Sequence, residues 1–357
     1  MSAGTTHGPP VHAAPRGPRA MGPLLIGVAT LTAVVGCLVL LLLATGHDPA
    51  TALRALLRGA VGSWYTLTST TLVRATPLIL TGLAVAIAFR AGVLNIGAEG
   101  QLLAGAAAAT AVAIAWPSGG ALPGVLAGAA GGVLWTALPA WLRLRYNVLE
   151  VISTLMCNAV AVYVVGWLVR GPLQEPTRIY PQSAVLDLAS RLPLLWDGTR
   201  LHAGFVLALL LVAAAWWINA HTAAGFRLRA VGLNENAAAS TGGIAVARTR
   251  LVAFVVSGAL AGVAGAVEVQ GVTYALYENL SPGYGYTAIA VALLARLDAR
   301  AVIVAALLFA ALQAGGSAMQ RDAAVPAVTV KVVEAALILG VITVAAWQQR
   351  RTRSHAV

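Results

Sequence analysis

Apolar runs of near-spanning length recur along this chain, and no other feature of the sequence restricts its fold so strongly. They cover Leu24–Ala44, Ala75–Phe89, Leu102–Trp116, Ala121–Leu142, Val151–Val169, Ala203–Ile218, Leu251–Val267, Tyr286–Leu294, Ala301–Leu312 and Val328–Trp347. A helix needs about 20 apolar residues to cross a hydrocarbon layer, and several of these runs fall short. Irregular backbone facing lipid would leave its amides without partners. The short runs must therefore be buried by neighbours or be broken helices that line a cavity. The sequence predicts an all-α polytopic membrane protein of about ten transmembrane helices, some short or broken, an arrangement compatible with inverted repeats. Composition agrees: 59% of residues are hydrophobic and 10% charged, whereas a soluble domain carries about 25% charged residues.

The formal charge of +11 would in a soluble chain suggest nucleic acid. Here the arginines cluster between and after apolar runs, as in loops facing anionic lipid, so nucleic acid is excluded as a partner and membrane lipid expected. Arg16 and Arg19 precede the first run, Arg143 and Arg145 follow the fourth, and Arg227, Arg229, Arg248 and Arg250 follow the sixth. Arg296 and Arg300 follow the eighth, and Arg350, Arg351 and Arg353 the last. Ten spans with both termini cytoplasmic put all of these on the cytoplasmic side. Residues 1–23 read as a disordered cytoplasmic tail and 348–357 as a basic cytoplasmic tail, with the transmembrane domain at 24–347. A cleaved leader is the competing reading of the start, but Leu24–Ala44 is longer than the usual 7–15-residue apolar core of a leader. Against the pattern, Arg54, Arg58 and Arg74 fall outside, the first two on a short interfacial helix over Thr51–Leu67. Arg170, Arg178, Arg191 and Arg200 also fall outside, along the external loop 171–202, whose four prolines argue for an ordered cap.

No catalytic constellation, metal cluster or phosphate-binding loop is present, and no cofactor is expected. Glu150, Ser153 and Asn158 share a region without a histidine to act as base. The six histidines fall in tails and loops. If ATP drives this protein, another subunit must hydrolyse it. Glycines at Gly124/Gly128 and Gly258/Gly262 have the spacing of close helix packing. Lys331 and Glu334 lie three apart on one helix face and read as an internal pair or interface position in preference to a proton relay.

Two segments carry chemistry. Phe89–Gln101 holds Arg90, Asn95, Glu99 and Gln101 with three glycines between apolar runs. An ordinary cytoplasmic turn accounts for it; the preferred reading is a helix break near mid-membrane whose polar groups face a solute path. The cytoplasmic stretch Gly225–Arg250, within the loop 219–250, contains a second signal: Asn234 can cap a short helix over Glu235–Ala239, which Gly242 and Gly243 can end. A solvated loop is the bland reading, and docking into a partner's groove the preferred one.

At these segments the chain resembles the permease family of bacterial sugar and nucleoside ABC importers, in its nucleoside branch. The resemblance runs from about Leu72 to Trp347. Its motifs are Ala88–Gln101, Leu149–Asn158, Leu168–Leu173, Arg229–Asn234 with Ala237, Ala238, Gly243 and Ile244, and Ser281–Tyr286 continuing through Ile289–Leu294. It implies a transmembrane permease domain over 24–347, in a multi-pass protein of the bacterial cytoplasmic membrane that carries no ATPase of its own. It further implies a second homologous permease, an ATP-binding subunit with two nucleotide sites, and an extracytoplasmic substrate-binding lipoprotein. The solute path implied comprises Arg90, Asn95, Glu99, Gln101, Glu150, Ser153, Asn158 and Tyr284. The ATPase-coupling set comprises Gly232, Asn234, Glu235, Ala237, Ala238 and Gly243. Lys331 and Glu334 depart from the uncharged residues usual there. An ion-coupled secondary transporter is the alternative; it needs ionisable relay groups near the midplane, for which Glu150, Glu268 and Glu334 give little support.

Overall fold

The structure, a computed structural model, describes residues 38–240 and 242–332, together with residues 32, 36, 335, 336, 339 and 340. The expectations for both tails, for most of Leu24–Ala44, for the end of Val328–Trp347 and for Glu334 lie outside the described residues. Among the described residues every regular element is helical, and extended pairing is limited to isolated bridges.

Asp48 starts the first described helix, α1 (Pro49–Val61), by accepting from the backbone N–H of Ala50 and Thr51 at 3.2 and 2.9 Å. Pro49, which has no N–H to satisfy, occupies the first turn. Among the described residues seven helices are long and apolar enough to cross a membrane: α2 (Trp64–Arg90), α3 (Ala98–Ala115), α4 (Ala121–Tyr146), α5 (Glu150–Arg170), α6 (Gly204–His221), α9 (Val246–Thr273) and α11 (Ala299–Asp322). Between α6 and α9 lie the shorter α7 (Ala223–Leu233) and α8 (Glu235–Ser240). A half-length apolar helix, α10 (Tyr284–Leu294), precedes α11. Eight of the apolar runs thus have a helix, and the two at the chain ends lie largely outside the described residues.

Several boundaries differ from the sequence reading. The second span starts at Trp64, not Ala75, so Arg74 lies inside α2 and not in a loop before it. The polar stretch at its start stays helical because hydroxyls bond back to carbonyls: Thr68 Oγ1 donates to Trp64 O at 2.7 Å and Thr71 Oγ1 to Ala60 O at 2.6 Å. Arg74 is accommodated by α11, its Nη1 donating to Gln313 O at 2.7 Å and Ser317 Oγ at 3.0 Å. A charged group is tolerated inside a span when neighbouring protein supplies its partners. The interfacial helix expected over Thr51–Leu67 ends at Val61, and its last residues belong to α2.

The two longest spans, α2 and α9, occupy the centre and are mostly buried. Around them α4, α5 and α6 turn large apolar side chains outward, including Leu134, Tyr163 and Leu210. Glycine decides how closely α9 meets α4: a methyl group at Gly132, Gly258 or Gly262 would overlap atoms of the facing helix, two of them backbone carbonyls. Close backbone approach substitutes for the hydrophobic drive that lipid does not supply.

Direction alternates regularly. The turns after α2, α4, α6 and α10 and the α7–α8 loop share one end of the bundle, the basic end. The segment 171–203 covers the opposite end by pairing with the last turn of α9 and the chain beyond it: Ser183 N donates to Leu276 O at 3.0 Å, Leu186 N to Tyr274 O at 2.8 Å and Leu192 N to Gln270 O at 2.9 Å. One pattern occurs twice in opposite directions. A long helix (α2, α9) is followed by a non-helical stretch (91–97, 274–283) that returns into the bundle and starts a further helix (α3, α10).

His202 of this cap is fully buried against Gly271 and Gly204. Burial, and secondarily the charge of Arg200, lower its pKa from 6.5 to about 4. The folded state therefore keeps His202 neutral while the unfolded chain protonates. Its effect on stability is absent above pH 6.5 and grows unfavourable as pH falls towards about 4. Thermal unfolding in detergent should show a loss of up to about 3 kcal/mol across that window, and His202→Gln should flatten it. An unchanged pH dependence in the variant refutes this assignment.

Candidate functional site

The chain leaves α2 at Arg90 and returns into the bundle through Ala91–Gly97. Ala91 lies at the basic end, where Arg250 Nε donates to its carbonyl at 3.5 Å. Asn95 lies deeper: its Nδ2 donates to Ser257 Oγ at 2.8 Å, eleven residues into α9 and so about 16 Å from that helix's start. Asn95 is fully buried and all its bonds are internal. Its Nδ2 also donates to Gln101 Oε1 at 3.0 Å, and its Oδ1 accepts from Gly97 N at 2.8 Å and Gln101 Nε2 at 3.3 Å. Asn158 on α5 completes the arrangement, accepting from Gly100 N at 2.9 Å and donating to Ile96 O at 2.9 Å. Two side-chain amides, Asn95 and Asn158, with Gln101 bracing Asn95, thus serve a stretch of backbone that forms no helix and a free N–H group at the start of α3.

The second returning stretch meets the first inside the bundle. Ser281 Oγ accepts from Gly283 N and Tyr284 N, each at 3.1 Å. Glu99 Oε2 accepts from Gly285 N at 2.7 Å, and Ser281 is its other hydrogen-bond partner. Glu99 therefore sits at the start of α10, where the helix dipole favours an acidic group. The approach requires glycine, since a methyl at Gly285 would overlap the backbone of Glu99. The starts of α3 and α10 consequently face one another, beside Tyr284, which is 6% exposed. Glu268 of α9 is 5% exposed, and the fields of Arg74 and Arg200 reach it.

These findings sort the path residues named from the sequence. Asn95, Gln101 and Asn158 are brought together, and Glu99 and Tyr284 meet at the start of α10. Arg90 stands apart from Glu99, near Asp298 and Arg229 at the basic end. Glu150 pairs with Arg143 at 3.1 Å in the turn between α4 and α5. The Ser153 hydroxyl bonds back to the carbonyls of Leu149 and Glu150. Glu268 and Arg74 belong to the same interior and were not among the path residues. Their signal was a lone charge within an otherwise apolar stretch.

At the basic end, Thr222 caps α7 by accepting from Gly225 N at 3.3 Å, and Asn234 caps α8 by accepting from Ala237 N at 3.0 Å. Gly243, at φ +58°, lets the chain turn back, and Ile244 N donates to Ala238 O at 3.1 Å. Gly232 lies so close to Arg90 O that a methyl would overlap it, which docks α7 on the end of α2. Leu233 is 87% exposed, Glu235 and Ala237 are exposed, and Ala238 is turned inward at 6%. Any docking face of α8 therefore excludes Ala238. Glu235 pairs with Arg250 at 2.5 Å, joining α8 to the residue that meets Ala91.

Known proteins resemble the chain over most of its length. A family model described as branched-chain amino acid transport system / permease component matches residues 67–342. The glucose ABC transporter permease protein of Haloferax volcanii is 38% identical, over 90% of this chain and 88% of its own length. The guanosine ABC transporter permease protein of Bacillus subtilis is 38% identical over 84% and 87%, and the nucleoside ABC transporter permease protein of Lactococcus lactis 32% over 84% and 85%. No solved structure matches the chain.

Replacing Asn95 by leucine leaves the Gln101 amide, the Ser257 hydroxyl and Gly97 N without that partner. A buried polar group so stranded costs about 1–3 kcal/mol. Thermal unfolding of Asn95→Leu in detergent should show at least that loss, and Ser257→Ala a smaller one. Wild-type stability in Asn95→Leu shows that this network does not hold the break.

Proposed function

The chain belongs to the branched-chain amino acid transport system / permease component family, and from that footing we propose that it is the permease subunit of an ATP-driven importer carrying nucleosides or a related small polar solute such as a simple sugar. The family and the seven apolar helices make it a multi-pass protein of the cytoplasmic membrane. One observation supports the path: two helices, α3 and α10, begin inside the bundle instead of at its surface. Irregular backbone of this kind is tolerated at membrane depth only where protein buries it or it lines a cavity, the arrangement expected of a membrane carrier. Opposite traversal of α2–α3 and α9–α10 supports reading them as inverted repeats.

The partners are a second homologous permease, an ATP-binding subunit with two nucleotide sites that hydrolyses ATP, and an extracytoplasmic substrate-binding lipoprotein. The basic end is cytoplasmic in this reading, because arginines concentrate at the turns there. The α7–α8 tip is then the element that meets the ATP-binding subunit, through Leu233, Glu235 and Ala237. Motion of that tip reaches the interior through Glu235, Arg250 and the 91–97 stretch.

The complete transporter in proteoliposomes, supplied with ATP, should accumulate radiolabelled guanosine or glucose. Leu233→Asp and Ala237→Arg should lower that uptake at least tenfold while the permease stays in the membrane at wild-type abundance. Full uptake in both variants overturns the coupling role of this tip. Orientation is checked separately, in a background lacking Cys37 and Cys157. An impermeant thiol reagent should reach Leu188→Cys, a position 77% exposed, from outside the cell. It should reach His221→Cys only after the membrane is opened; the reverse pattern overturns the topology.

A further inference from the structure

Among the described residues, Glu268 is the acidic one of three buried side chains that leave a polar atom without a hydrogen-bond partner, the others being Gln270 at Oε1 and His202 at Nε2. Glu268 lies within the central helix α9, five residues from its end, where the helix widens into a π turn over Val269–Thr273. The residues before it, Leu260–Val267, are all buried and all apolar or glycine. It is 5% exposed, and its Oε2 has no hydrogen-bond partner. Glu99, equally buried, holds the start of α10 through Gly285 N. The two acidic groups therefore differ in employment: Glu99 is committed to structure and Glu268 keeps an acceptor open.

Its surroundings are those of a site. The charges of Glu268 and Glu99 both act on the Tyr284 hydroxyl, and those of Arg74 and Arg200 act on Glu268. Arg74 is held by α11 through Gln313 O and Ser317 Oγ, so it is not free to close on Glu268 as an ion pair. Arg200 is anchored by its backbone N–H to Ser69 Oγ at 3.0 Å, while its Nη2 lies 3.5 Å from Val272 O. Helices α2, α9 and α10 and the cap segment 171–203 thus bring an unpartnered carboxyl oxygen, a phenol and two cations to the region where α10 begins. A buried acceptor without a partner costs about 1–3 kcal/mol, and a solute that supplies the donors removes that cost.

We propose that Glu268 is the group of the path that recognises the solute, its carboxyl accepting hydrogen bonds from a pair of adjacent hydroxyl groups, with Tyr284 beside them. This deepens the importer reading and rests on it. The argument for a vicinal diol is chemical. The relatives named for glucose and for guanosine carry solutes that differ in ring, size and charge pattern. Both solutes present hydroxyls on neighbouring carbons, the donor pair that a single carboxyl group can bind. A path built around that pair passes either class, and the contact stays weak enough for release because it involves one acidic side chain.

The test measures discrimination, using the complete transporter in proteoliposomes with inosine and 2′,3′-dideoxyinosine as probes. Wild type should transport inosine with a kcat/KM about 10- to 100-fold above the dideoxy compound, the range expected for hydrogen bonds to an acidic group. In Glu268→Gln the ratio should fall to within about threefold of one, chiefly by loss of inosine transport, and Glu268→Asp should give an intermediate ratio. Both solutes are measured in one preparation, so lower abundance of a variant cancels from the ratio. Undiminished discrimination in Glu268→Gln overturns the proposal, as does an equal loss of both solutes in Glu268→Gln and Glu268→Asp, which would make Glu268 structural. If wild type accumulates neither inosine nor glucose under ATP, it is the importer reading that fails.

Discussion

An unpaired amide has no water to turn to inside this bundle, and the chain meets that constraint at Asn95. Four hydrogen bonds converge on its side chain, from the loop, from α3 and from α9. Without them the 91–97 stretch would have to continue as helix or leave the bundle, because irregular backbone at membrane depth survives only where protein satisfies it. With them, α3 begins about 16 Å below the start of α9, Glu99 reaches Gly285, and α10 can begin in the interior as well. The interior start of α10 requires its own cap, and Ser281 and Glu99 supply it. The second break therefore depends on the first: Glu99 of α3 completes the start of α10, whereas Asn95 and Asn158 complete the start of α3.

The same stretch joins the interior to the basic end. Ala91 meets Arg250, Arg250 pairs with Glu235 of α8, and Gly232 of α7 rests on Arg90 O. These contacts are short-range and directional, so displacing α7 and α8 strains the loop that positions Asn95 and Glu99. In an ATP-driven carrier a displacement at the cytoplasmic surface must alter the interior some distance away. A loop held at both ends by polar contacts transmits displacement where lubricated apolar packing would not. The tip stays exposed because its capped helices bury little, and Leu233 projects outward from it.

Helix positions were legible to the extent that hydropathy dominates. The runs at Ala121, Val151, Ala203 and Tyr286 correspond closely to α4, α5, α6 and α10. The starts of α2, α3 and α9 were placed too late because polar residues there were read as loop. Thr68 is served by a carbonyl of its own helix, Thr71 by Ala60 O of α1, and Arg74 by α11, a partner far away in sequence. Glu268 drew little weight for a related reason: a single acid among alanines and valines gives no pattern, and only the packing of four helices shows that its oxygen faces no partner. The resemblance puts Ala238 in the ATPase-coupling set, but which face of α8 turns in depends on how the loop folds back at Gly243, and Ala238 is buried.

The sequence by itself determined that this chain lives in a membrane as helices, that one helix breaks between Phe89 and Gln101, and where a short capped helix interrupts the basic loop. Those conclusions rest on local quantities: the length of apolar runs, the cost of burying amides and charges, and the side chains able to cap a helix. Only the tertiary structure decided that the two breaks meet, that Asn95 and Asn158 serve backbone, that Arg74 enters a span, and that Glu268 keeps an open acceptor. Each of these depends on which helices become neighbours. That choice is set by glycine-to-backbone approach between α9, α4 and α3 and by hydrogen bonds between residues far apart in the chain, which no local pattern of hydropathy encodes.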